Sequence, residues 1–60
     1  MTTQELLDYA KEMIAKHPNL KEDISDIFED CIQEIEDGNE EYQECETTHE
    51  TIRQLVEEQE

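Results

Sequence analysis

The sequence predicts an all-α fold of three helices, with the second and third helices paired as an antiparallel αα-hairpin. Apolar residues recur at three- and four-residue spacing along most of the 60-residue chain. Pro18 and Gly38, the only residues of their kinds, divide the chain into three segments of helical length. Apolar residues stand at equal distances on either side of Gly38, as an antiparallel pair of helices requires. We expect one small acidic helical domain over residues 1–60, with homodimerisation as an open way of completing its core.

The first segment predicts a helix from Thr3 to His17. Thr2 or Thr3 can cap its N-terminus with a side-chain oxygen. Pro18 ends the helix because proline lacks the backbone N–H and disfavours helical geometry in the residue before it. The apolar stripe consists of Leu6, Leu7, Ala10, Met13, Ile14 and His17. This stripe is expected to fold back over the hairpin.

The second segment predicts a helix from Leu20 to Asp37. Asn19 is a candidate N-cap, and Glu22 would complete a capping box. Gly38 can adopt the left-handed conformation that ends a helix. The apolar face is the widest of the three and consists of Leu20, Ile24, Ile27, Phe28, Cys31, Ile32 and Ile35. We expect this helix to form the centre of the fold.

The third segment predicts a helix from Glu40 to Glu58, capped by Asn39. Its stripe is thin and consists of Tyr42, Cys45, His49, Ile52 and Val56, with Leu55 beside it. A helix with so few apolar residues is marginal by itself. Pairing about Gly38 gives three opposed pairs: Cys31 with Cys45, Ile24 with Ile52, and Leu20 with Val56. Tyr42 is expected to pack on Ile35.

Charge is the most informative property of the composition. The chain has 4 Lys and Arg against 19 Asp and Glu, which gives a net charge of −15. Residues 1–21 are neutral, so the whole excess lies in the hairpin. Phosphates need Lys and Arg partners, so direct nucleic-acid binding is not expected, and an anionic membrane would repel the chain. With no apolar run of signal-peptide or membrane-span length, we expect a cytoplasmic protein.

The density of the acids favours mimicry of nucleic acid. The sixteen acids of residues 22–60 along helices of about 29 Å give one charge per ~1.8 Å. Duplex DNA carries one charge per about 1.7 Å. A surface that only confers solubility is the competing interpretation, but it leaves the repulsion between acids four residues apart unexplained. The candidate partner-binding residues are Asp23, Asp26, Glu29, Asp30, Glu34, Glu36 and Asp37 on the second helix, with Glu40, Glu41, Glu44, Glu46 and Glu50 on the third.

Three stretches carry a resemblance to a known group of proteins: residues 4–11 (QELLDYAK), 17–20 (HPNL) and 31–38 (CIQEIEDG). In these stretches the chain resembles small acidic helical proteins encoded by large tailed bacteriophages. The resemblance implies a product that binds and disables or redirects one host protein. It further implies the anti-restriction and anti-CRISPR type of inhibitor, which competes with nucleic acid.

Other site chemistries have less support. Cys45 and His49 lie four residues apart and Cys31 is expected opposite Cys45. A zinc site completed by Glu46 or a second chain, or a disulfide within the chain, is therefore an alternative to two reduced core thiols. No oxyanion-stabilising loop accompanies them, and the surrounding acids would raise the pKa of a thiol, so no catalytic residue is assigned. The residues preceding Gly38 do not match a calcium loop. We expect no cofactor and no resident metal.

The main alternative function is a helical adaptor or assembly subunit. In that case the apolar faces of the first two helices would pack against another chain or a second copy. Neutralising the acids would then leave binding intact, whereas it would abolish the action of a nucleic-acid mimic. The sequence therefore predicts an interaction protein rather than an enzyme, with a basic, nucleic-acid-binding host protein as the expected partner.

Overall fold

The computed structural model describes residues 1–59 as three α-helices and one short connecting turn. The helices are α1 (Thr3–Lys16), α2 (Lys21–Glu36) and α3 (Glu41–Glu58), and a 3-10 helix over Pro18–Leu20 joins α1 to α2. Within these residues there is no β-strand. Helices α2 and α3 pack against each other, and α1 packs against both. The predicted all-α fold with its helical hairpin is therefore confirmed.

Helix α1 begins with the capping arrangement that its sequence allows. The Thr2 hydroxyl accepts a hydrogen bond from the Glu5 N–H at 3.2 Å, and the Glu5 carboxylate accepts one from the Thr2 N–H at 2.9 Å. This reciprocal pair lowers the pKa of Glu5. The helix ends at Lys16, one residue earlier than predicted, and the N–H of His17 closes the last turn on the Met13 carbonyl at 2.8 Å.

The predicted capping box at the start of α2 is wrong. Asn19 lies inside the 3-10 helix, where the Leu20 N–H donates to the His17 carbonyl at 2.9 Å. Helix α2 therefore begins at Lys21 with Leu20 in the cap position, and no side chain caps it. Proline fixes its own φ near the value that a tight turn needs, so the turn starts at Pro18 and takes up the asparagine.

The turn between α2 and α3 depends on Gly38, as predicted. Its φ is 110°, and the Gly38 N–H donates to the Ile35 carbonyl at 3.0 Å. The N–H of Asn39 donates to the Glu34 carbonyl at 3.1 Å, which completes a Schellman motif. Asn39 is therefore not the cap of α3, and that prediction is wrong. The Glu40 carboxylate caps α3 instead by accepting from the Tyr42 N–H at 3.0 Å.

The core is a single cluster that draws on every helix of the described chain. Its buried apolar members are Leu6, Ala10, Met13, Leu20, Ile24, Cys31, Cys45, Ile52 and Val56. All six residues of the three pairs expected across the hairpin are among them. The molecule is elongated, at 34 × 17 × 16 Å, so each helix can bury only a narrow strip of its surface.

That narrowness changes two expectations about which residues are buried. Helix α2 buries only Ile24 and Cys31, and the rest of its wide apolar face is half-buried. Helix α3 buries Thr48 among its four inward residues. Tyr42, expected on the α3 stripe, is 56% exposed. It lies in the first turn of α3.

Candidate protein-interaction surface

Helix α2 carries a row of carboxylates along one side, which we call the acidic stripe. Its members are Asp23, Asp26, Asp30, Glu34 and Asp37. Their spacing of three, four, four and three residues places them on the same side of a helix. All five are exposed. At 1.5 Å per residue the stripe runs for about 21 Å along the axis, with a mean spacing of about 5 Å.

No cationic side chain within residues 1–59 forms an ion pair with the acidic stripe. The ion pairs of residues 1–59 join Lys16 to Glu12, Arg53 to Glu50 and Glu57, and the N-terminal ammonium to Glu46. None of these acids belongs to the stripe. Like charges three and four residues apart destabilise a helix by a few tenths of a kcal/mol per pair. The stripe therefore costs stability and directs a negative field into the solvent.

Several predicted partner-binding acids of α3 have a role inside the fold. Glu41 ties the start of α3 to the start of α1, because its Oε2 accepts from the N–H and the hydroxyl of Thr3, both at 2.9 Å. These two bonds lower the pKa of Glu41. Glu50 pairs with Arg53, which lowers the pKa of Glu50. Glu40, as the cap of α3, has a third local role.

Glu44 lies beside the acidic stripe. Its carboxyl group lies close enough to that of Glu34 for the two to share a proton, and this hydrogen bond raises the pKa of Glu44 above its ordinary value. Partial desolvation acts in the same direction. Glu44 thus adds a sixth carboxylate next to the stripe, from the neighbouring helix.

The twelve predicted partner-binding acids do not form one continuous surface. Glu46 lies 3.9 Å from the N-terminal ammonium of Met1, and Glu50 lies near Tyr9 of α1, so these two follow the side where α3 meets α1. Glu29 lies on the wall of a groove between α1 and α2. Glu36 is exposed on the last turn of α2. The stripe and Glu44 are therefore the part of the prediction that the fold brings together.

The side chains considered for metal binding have other surroundings. The ring of His49 packs on the half-buried ring of Tyr9, with centroids 4.3 Å apart. Cys31 and Cys45 are free thiols in the core, and burial raises the pKa of Cys45. Over residues 1–59, three or more His, Cys, Asp or Glu side chains are nowhere grouped so that they could hold one metal ion.

Two contacts between α1 and α3 were not predicted from the sequence. The Tyr9–His49 pair joins α1 to α3, and the bonds from Thr3 to Glu41 fix the other end of the same interface. Both join residues about forty positions apart in the chain. An exposed ring, Tyr42, lies beside the Glu40 cap at the hairpin end and offers an apolar anchor next to the acids.

Comparison with known proteins finds no matching family model, no matching curated protein and no matching solved structure. The resemblance to acidic phage proteins thus stays a prediction from the sequence. In the part of the chain that the structure describes, none of the helices has the length and apolar composition that crossing a bilayer requires.

Proposed function

We propose that this protein is an acidic interaction module that binds a basic, nucleic-acid-binding protein in the host cytoplasm and blocks it. The observation that carries the proposal is the acidic stripe: five exposed carboxylates on one side of α2, with no cationic partner in residues 1–59. Blocking is by occupancy, since carboxylates take the places of phosphates in a basic groove. The resemblance to small acidic phage proteins implies an inhibitor that acts in this way.

The stripe is a single row of charges, which supports mimicry of one strand of phosphates more than of both strands of a duplex. The stripe presents one carboxylate per about 5 Å along one track. One strand of DNA carries a phosphate per about 3.4 Å of helix axis. A helix holds its carboxylates at fixed positions, so they are already ordered when a basic groove approaches. Such a field also accelerates association and makes it sensitive to salt.

The energetic cost of the stripe favours a binding role over a solubility role. Acids spread around the helices would keep the chain soluble without aligning like charges at the positions where they repel. The proposal therefore predicts that neutralising the stripe stabilises the protein and removes its activity. A surface used only for solubility would show the gain in stability alone.

The test uses a variant with Asp23→Asn, Asp26→Asn, Asp30→Asn and Glu34→Gln. Immobilised wild-type protein and this variant are each exposed to nuclease-treated bacterial lysate at low salt. A protein retained by the wild type alone is then purified, and its binding to labelled single- and double-stranded DNA is measured with and without this chain. We expect the wild type to displace the DNA, the variant to fail, and high salt to remove the difference.

A matched control variant has the same net charge as the stripe variant. Asp8→Asn, Glu22→Gln, Glu36→Gln and Glu58→Gln together also change the net charge from −15 to −11, because four acids are lost, but they spare the stripe and the ion pairs of residues 1–59. We expect this control to inhibit like the wild type. The proposal fails if the stripe variant still displaces DNA, or if the control loses inhibition to the same extent, since the effect would then follow net charge alone.

The burial of Ile24 and Ile52 limits the apolar surface that an adaptor could use. Ile24 and Ile52 are fully buried, so they hold the monomer together and cannot reach another chain. Substituting either by Asp would unfold the protein and would not separate the two functions. An adaptor would have to use apolar surface that stays open, and the structure has such a surface between α1 and α2.

A further inference from the structure

Helices α1 and α2 leave an apolar groove between them on the side away from α3. Its apolar walls include Leu7 and Ile14 from α1 and Phe28 from α2, and all three side chains are half-buried. Its volume is about 150 Å³. The groove therefore leaves apolar surface open to another molecule.

One charged side chain stands on each wall of the groove. Lys11 lines it from α1 and Glu29 from α2, so the two walls carry opposite charges. Neither residue belongs to an ion pair within residues 1–59. Asp8, one turn before Lys11, accepts a hydrogen bond from Gln4 at 3.1 Å instead. Both charges are thus available to groups outside the monomer.

We propose that a second copy of this chain docks on this groove, face to face, about a two-fold axis that runs along it. That axis sets α1 of one copy against α2 of the other. Lys11 then faces Glu29 of the partner subunit, and the same pair repeats on the other side of the axis. The half-buried apolar side chains of both grooves close the space between them. The interface is self-complementary because its two walls carry opposite charges.

The charge distribution favours a second copy over other occupants. A cationic protein would be drawn to the acidic stripe, none of whose members lines the groove. An occupant of the groove needs one cation and one anion at the spacing of Lys11 and Glu29, which this chain itself supplies. Residues 1–21, which include α1, are electrically neutral. Two copies that meet through their α1 helices therefore repel each other less than copies that meet through α3. The dimer leaves both stripes facing the solvent.

Sedimentation of the full chain tests the proposal. The wild type is run from micromolar to millimolar concentration, alongside Lys11→Glu, Glu29→Lys and the double variant that carries both substitutions. We expect the wild type to dimerise, each single variant to raise the dimer Kd about tenfold because like charges then face each other, and the double variant to recover the wild-type Kd. Circular dichroism of each variant at low concentration checks that the monomer is folded.

Two control variants separate the interface from the net charge. Lys16→Glu and Glu58→Lys make the same charge changes at exposed positions that do not line the groove, and we expect them to dimerise like the wild type. Added salt should strengthen the dimer by screening the repulsion of two acidic chains, whereas it weakens binding to a basic partner. The proposal is overturned if the wild type stays monomeric at every concentration, whether or not another protein binds in the groove. A double variant that does not recover, or controls that weaken dimerisation equally, also overturn it.

Discussion

At the scale of single residues, the contact between Glu44 and Glu34 joins the fold to the proposed function. The two carboxyl groups meet across the hairpin, beside the acidic stripe, and their shared proton raises the pKa of Glu44. In the unfolded chain the groups are apart, so the folded state binds this proton more tightly. The contribution of this pair to folding stability is therefore fully present below the ordinary pKa of Glu44, 4.5, and is lost as the pH rises through the raised value.

We predict that Glu44→Gln stabilises the protein at neutral pH and has little effect well below pH 4.5. Glutamine removes the repulsion with Glu34 and keeps the size of the side chain. Urea unfolding at a series of pH values measures the difference between variant and wild type, which should grow as the pH rises. Glu58→Gln removes one charge from an exposed position on the same helix as Glu44, outside the groove, and is the matched control. Equal effects of the two substitutions at every pH would contradict the pairing.

Residue-scale predictions from the sequence succeeded where the cause is local. Thr2, one of the two predicted N-caps of α1, caps the helix because the Glu5 N–H that it binds lies within one turn. Tyr42 was placed in the core by periodicity, yet it is 56% exposed, because burial depends on what stands opposite in the finished hairpin. The Tyr9–His49 contact could not be predicted from the sequence for the same reason.

At the scale of elements, Gly38 sets the length of α2 and the direction of α3. Its φ of 110° lies in the region that L residues with a Cβ rarely adopt. A Cβ built at this position would meet no atom within 4 Å, so the strain of a substitution comes from the backbone alone. The Schellman motif depends on this one conformation.

We predict that Gly38→Ala lowers the free energy of unfolding by about 1 kcal/mol through that backbone strain. Gly38→Asn should cost less, because asparagine tolerates positive φ better than alanine. Chemical denaturation followed by circular dichroism measures both. If alanine proved neutral, or asparagine proved worse than alanine, a contact of the side chain rather than the backbone angle would be the cause.

The caps of α2 and α3 show why helix ends are harder to predict than helices. Asn19 and Asn39 are both good capping residues by type. Asn19 was taken into the 3-10 turn that Pro18 starts, and Asn39 gives its N–H to the Glu34 carbonyl in the motif built on Gly38. In each case the asparagine belongs to the neighbouring turn and therefore does not cap the helix that follows.

At the scale of the whole molecule, self-repulsion is the dominant electrostatic effect. A net charge of −15 is confined to a body of 34 × 17 × 16 Å. At 0.01 M salt the Debye length of about 30 Å covers this body, and at 0.1 M it falls to about 10 Å. Repulsion between distant acids is therefore strong at low salt and largely screened at moderate salt.

We predict that the melting temperature rises between these two salt concentrations and that the stripe variant shows a smaller rise. Thermal unfolding by circular dichroism measures both at low protein concentration. The control with four acids neutralised elsewhere has the same net charge, so a difference between the two variants reports on the alignment of the stripe. A melting temperature that is independent of salt would show that repulsion does not limit stability.

The sequence alone determined the three helices, the hairpin about Gly38, the burial of the six residues expected to face each other across it and the concentration of charge in residues 22–60. These follow from periodicity and from single residues whose effects are local. Only the tertiary structure decided which acids remain free for a partner, which ones hold the fold together, and that α1 and α2 leave a groove open. Those outcomes depend on how three narrow helices share one small core, because a face that is apolar in the sequence is buried only where another helix covers it.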